Sequence, residues 1–203
     1  MIRVSFTKFL DFVAQTGEPK ATTAVQAWRQ SNTPYDPTRD YYRRVRTELI
    51  NYEKTGEERD WEEFVASQNP KKQKNFERII SSYMNWRDKH SDIDWFVPPR
   101  GEWASAEFQL TINPEMGLTL DGQRHAIKLF FNKNKLSKLK AQMAGLIMDK
   151  ALSDIAPNTK FAIFDINEKK LHTYEGSSDK LKYLLVGETA HLSAMLNAIR
   201  DTG

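Results

Sequence analysis

From Gly122 to Met148 the chain has no Asp or Glu, yet it carries Arg124, Lys128, Lys133, Lys135, Lys138 and Lys140. Ammonium and guanidinium groups gathered without counter-charges are the side chains that hold an anion, above all a phosphate backbone. Several of them fall at or just before the start of a helix, where a cation opposes the macrodipole at roughly a few tenths of a kcal/mol each. Accepting that cost is consistent with an anion held at the helix start. The plainer account is that these lysines solvate an exposed loop and helix face. A second cluster lies in DPTRDYYRRVRTEL, where Tyr41 and Tyr42 are interleaved with Arg39, Arg43, Arg44 and Arg46. Basic side chains contact phosphates and exposed aromatics stack on bases. Alternatively, such a helix buries Tyr42 and Val45 while its arginines pair with acids such as Asp40 and Glu48.

The stretch LDGQRHAIKLFF, residues 120 to 131, adds a different chemistry. Asp121-Gly122 is a favoured tight-turn pair, and it leads into a strand holding Lys128 among apolar neighbours. Asp165 closes the apolar run FAIFDI; burial raises a carboxyl pKa unless a cation or donor compensates, and Asp at a strand end also forms turns. An acid before a strand, an inner lysine on that strand and then a helix resemble the PD-(D/E)XK restriction-endonuclease-like superfamily over residues 107 to 175. The resemblance implies a nuclease core in which Asp121 and Lys128 help bind Mg²⁺ or Mn²⁺ and orient an attacking water. The pattern departs at Ala126, where the second acid would stand. One carboxylate holds a hard cation poorly, so Glu115 or Asp165 would have to supply the missing ligand. NPEMGL followed by IKLFF is also similar to a segment of uncharacterised bacterial proteins, which carries no function with it. Without the resemblance, the same residues read as a hairpin turn and a solvated or edge-guarding lysine.

Other chemistries find little footing. His90, His125, His172 and His191 show no metal-ligand spacing, and His125 shares a strand face with Ile127 and Leu129, as a hydrogen-bonded core histidine would. There is no glycine-rich phosphate loop, nucleophile elbow or His-Glu-x-x-His motif. The absence of cysteine excludes a disulfide framework, a thiolate metal site and a cysteine nucleophile, and it fits a cytoplasmic protein. A net charge of +3 over 203 residues gives neither half a basic tail, so only local clusters argue for nucleic acid. No apolar run approaches the ~18 residues of a membrane helix, and Asp11 interrupts an N-terminus that lacks a signal-peptide core.

The elements that must position these residues divide at SDIDWFVPPRG, residues 91 to 101, where two consecutive prolines stop a helix. Before it the period is helical. Phe6, Phe9, Leu10 and Val13 predict a helix capped by Ser5 and stopped by Gly17. Further helices are expected over about 21–30, from after Pro37 to Lys54, near Trp61 to Val65, and from about Phe76 to His90. After the boundary, EFQLTI alternates as a strand, and 125–131 and 161–166 follow, with KKLHTY as partner of the last. FAIFDI is apolar on both faces, as a covered central strand would be. Residues 136–152 and the stretch around Leu192 to Ile199 read as amphipathic helices, whereas KLKYLLVG suits either state.

The expected architecture is α+β, with a helical region over 1–95 packed on a small mixed-sheet domain over 101–203. The expected function is non-catalytic nucleic-acid binding through the basic clusters. A divalent-metal-dependent nuclease using Asp121, Lys128, Glu115 or Asp165 is the alternative. A third reading is a protein-interaction or self-associating module anchored by its tryptophan-rich first half.

Overall fold

The computed structural model describes residues 1–34, 36, 40–132 and 136–202. The fold is α+β. Its centre is a five-stranded mixed sheet made of β2 (Ile93–Trp95), β5 (Met116–Leu120), β6 (Gln123–Phe130), β7 (Thr159–Asp165) and β8 (Lys170–Thr173), in that spatial order. A smaller sheet sets β4 (Phe108–Ile112) between β1 (Ile2–Ser5) and β3 (Gly101–Ala104). β6 and β7 are parallel, so the chain needs a crossover between them, and helix α6 (Lys138–Leu152) supplies it.

Side-chain alternation divides the core in two. One face of the five-stranded sheet presents Met116, Leu118, Ile127, Leu129, Ala162 and Phe164 to helices α3 (Arg43–Thr55) and α5 (Pro70–Arg87). The opposite face presents Ala126, Phe161 and Ile163 to α6, to α1 (Phe6–Val13) and to the small sheet. Around that second core also pack α2 (Gly17–Ser31) and the last helix, α7 (Asp179–Thr202), while the short α4 (Trp61–Ala66) leans on α5. FAIFDI is buried on both faces, from Phe161 to Ile166. Both cores draw on residues before and after the proline-rich boundary, so 91–101 marks a change of secondary structure across which the packing continues.

Local chemistry explains most of the element ends. Ser5 accepts the Lys8 N–H and caps α1, Asn69 caps α5 ahead of Pro70, and Ser137 accepts the Lys140 N–H at the start of α6. Asp121 and Gly122 both have positive φ, 50° and 79°, the backbone of a type I′ turn between β5 and β6. Gly117 has another reason: a Cβ there would lie 2.3 Å from the Phe96 carbonyl oxygen. Three short strands escaped the periodicity, namely β1, β2 and β3, of three or four residues each. KLKYLLVG lies within α7, whose Leu181, Leu185, Leu192 and Leu196 form one buried stripe. The third expected helix begins at Arg43, and its expected start near Pro37 lies outside the described residues. Among the described residues no helix is long and apolar enough to cross a membrane.

Candidate functional site

Lys128 lies on β6 between β5 and β7, so it guards no sheet edge. The strand's alternation turns Lys128 and Phe130 to the α6 side, away from Ile127 and Leu129. Glu115, just ahead of β5, is registered by its own N–H donating to the Ile127 carbonyl at 2.9 Å. Its carboxylate accepts from Lys128 Nζ at 2.5 Å and from the Leu129 N–H at 2.8 Å. Both side chains are only about one-eighth exposed, 13% for Lys128 and 12% for Glu115. An ion pair this sheltered carries a desolvation cost that good geometry must offset.

Two more pairs face the same recess. Lys140, in the first turn of α6, bonds the Asp11 carboxylate of α1 and sits 5.1 Å above the Phe130 ring. Arg46 of α3 holds Asp40 at 2.5 Å, one of the acids with which the alternative reading of this helix expected its arginines to pair. Nearby, Tyr42 lies parallel to Phe131, ring centres 5.0 Å apart. These groups, with Lys8, line a cavity of about 610 Å³. A second chamber of about 680 Å³ adjoins it and adds Arg3, Arg29 and Asp36 to the lining. Ser5, Thr7, Gln30, Asp40 and Lys128 border both, so the two form a continuous groove with Lys128 at the junction. Among the described residues, six cations and four carboxylates line it, a modest basic excess.

The remaining expected site residues disperse. Asp121 is exposed at the hairpin tip, separated from Glu115 by the length of β5, roughly 20 Å. It therefore does not join Lys128, because a tight two-residue turn points away from the strand ends that form the groove. Asp165 shares Lys128's sheet face but is fully buried and does not line the groove. Its Oδ1 accepts the N–H groups of Asn167 and Glu168, and its Oδ2 that of Leu136, so it ties the β7–β8 turn to the approach to α6. Arg124, at the opposite end of β6, covers the Phe96 ring at 4.0 Å. Lys138 borders a separate cavity beside β8, and Arg43 and Arg44 are exposed on α3. Lys133 and Lys135 lie outside the described residues.

Histidine chemistry divides in the same way. His125 is nearly buried, with Nδ1 2.9 Å from the Gln123 carbonyl, and burial holds its pKa below the usual 6.5. That is a structural histidine, as its neighbours suggest. His172 instead approaches Asp165 and Glu168, whose ligand atoms lie within 4.8 Å of one another, the one such group of three among the described residues. The turn between β7 and β8 creates it, and no metal-binding spacing marks it in the sequence. Lys8, Asp11, Arg3 and Arg29 are groove residues that sequence reasoning missed; only the polar side of α1 hinted at the first two. Of the five tryptophans, Trp86 is buried and Trp28, Trp61, Trp95 and Trp103 are half-buried.

Compared with known families and characterised proteins, the chain matches no family model and no curated relative.

Proposed function

We propose that the protein binds nucleic acid without cutting it, along the groove that runs past Lys128. The observation that carries this reading is the convergence of Lys8, Arg46, Lys128 and Lys140, with Arg3 and Arg29 beyond, on one concave surface. They come from six different elements, β1, α1, α2, α3, β6 and α6, far apart in sequence, so their meeting is a property of the fold. A phosphate oxygen competes for an ammonium group on the terms a carboxylate does, with charge-assisted hydrogen bonds. Lys128 and Lys140 are held ready by Glu115 and Asp11, and an incoming phosphate chain exchanges with those carboxylates or adds to them. The absence of cysteine makes a cytoplasmic location part of the same proposal.

Fluorescence anisotropy with a labelled oligonucleotide at low and at high salt tests it. Binding is expected at low salt and falls steeply as salt rises, because counterions return to the phosphates. No binding at low salt, or binding indifferent to salt, contradicts the proposal.

One observation favours a second reading, a divalent-metal-dependent nuclease: the Glu115 carboxylate sits 2.5 Å from Lys128 Nζ inside the groove. The donor set does not fit the metal. Both Glu115 oxygens already accept hydrogen bonds, Ala126 offers no oxygen, and a hard cation needs several oxygen ligands. Incubation of DNA and RNA with Mg²⁺ or Mn²⁺ decides between the readings. Intact substrate is expected; cleavage lost in Glu115→Gln would restore the nuclease.

A further inference from the structure

We infer that the groove takes a single strand and excludes a duplex, an inference that rests on the nucleic-acid reading above. Three observations lead to it. The first is depth. The ammonium-bearing side chains at the floor are largely covered, Lys128 at 13% exposure and Lys140 at 9%. Duplex phosphates ride on a convex cylinder whose groups are fixed by base pairing, so a duplex meets rim cations and cannot lower its backbone into a recess. A single strand bends at every nucleotide and can follow a concave path.

The second observation is length. The two chambers, about 610 and 680 Å³, meet at Lys128 and are lined by different cations beyond it. A groove that continues past its central charge suits a chain and not one compact anion, since charges spaced along it match phosphates spaced along a strand. The third is aromatic surface. Tyr42, Phe130 and Phe131 border the first chamber beside Arg46 and Lys140. Tyr42 is half-buried and held between Tyr41 and the buried Phe131, with 14° between the Tyr42 and Phe131 ring planes, so the part of its ring that reaches the chamber is fixed in place and little ordering is left to do. In a duplex the base faces are occupied by their neighbours; in a single strand they are free to lie on a ring.

Competition binding tests the inference. A labelled single-stranded oligonucleotide of mixed sequence is displaced by the unlabelled strand and, separately, by the same sequence as a duplex, at one low salt concentration. The single strand should compete at least about tenfold better. Tyr42→Ala should weaken single-strand binding about tenfold, in keeping with the loss of one stacked base, and Tyr42→Phe should restore it because the ring remains. Equal or better competition by the duplex overturns the single-strand inference and leaves the groove reading standing. Unchanged binding in Tyr42→Ala overturns the stacking platform. Failure of both strand forms to bind is a failure of the nucleic-acid reading itself. The wild-type competition needs no variant, so the inference stays testable even if Tyr42→Ala folds poorly.

Discussion

At the scale of residues, charge pairing decides what the groove offers. The acid-free run from Gly122 to Met148 was plain in the sequence, but its consequences were not. Lys128 meets an acid 13 positions earlier, and Lys140 one 129 positions earlier. A lysine-rich stretch says nothing about acids delivered by other elements, so local counting overstated the free charge. Because Glu115 and Lys128 are sheltered, deleting one strands the other. Glu115→Ala should cost about 3 kcal/mol in chemical denaturation, and adding Lys128→Met should recover part of that loss by removing the stranded ammonium. Strictly additive costs would show that the pair is not coupled. His125 gives a pH signature. Burial lowers its pKa below the usual 6.5, so as pH falls the unfolded chain binds the proton first. Its contribution is fully present above about pH 6.5 and is lost as pH falls through that value toward the lower folded one. Urea midpoints between pH 7.5 and 5 should therefore fall less in His125→Leu than in the wild type; equal slopes would assign the loss to other groups.

At the scale of elements, what could be read was whatever wrote its period into one segment. The apolar stripe of α1, the helix over 138–152, the doubly covered strand FAIFDI and the Asp121-Gly122 hairpin all carry their signal locally. β1, β2 and β3 are three or four residues long, too short for alternation to stand out, and partners elsewhere in the chain define them. In KLKYLLVG the run of Tyr183, Leu184, Leu185 and Val186 imitates a strand, and only the leucines farther along reveal the helix. The hairpin supplies a graded test. Gly122→Ala forces a side chain into positive φ with open space around it, and should cost about 1 kcal/mol. Gly117→Ala drives a Cβ against the Phe96 carbonyl, where backbone has to move, and should cost more. Thermal melts of the two variants check the order; equal losses would mean that the Phe96 segment yields freely.

At the scale of the whole molecule, the groove exists because the first half of the chain lies against the second. β1 pairs with β4, α1 delivers Asp11 to Lys140, and α3 delivers Arg46, while Lys128 comes from the five-stranded sheet and Glu115 from just ahead of its strand β5. Residues 101–203 expressed alone should therefore lack a cooperative unfolding transition by circular dichroism, since both cores lose the residues that cover them. A sharp transition would show that the second half is self-sufficient. The claim on which the functional account depends is that this groove, and not the basic residues elsewhere, holds phosphate. The most direct measurement is the slope of log affinity against log salt for a single-stranded oligonucleotide, compared across Lys8→Ala, Arg29→Ala and Arg124→Ala. The account predicts a wild-type slope of about −2 or steeper, flattened by about 0.7 in each of the two groove variants and unchanged in Arg124→Ala. A slope that flattens in Arg124→Ala and stays put in Lys8→Ala and Arg29→Ala would place the phosphate elsewhere and contradict it.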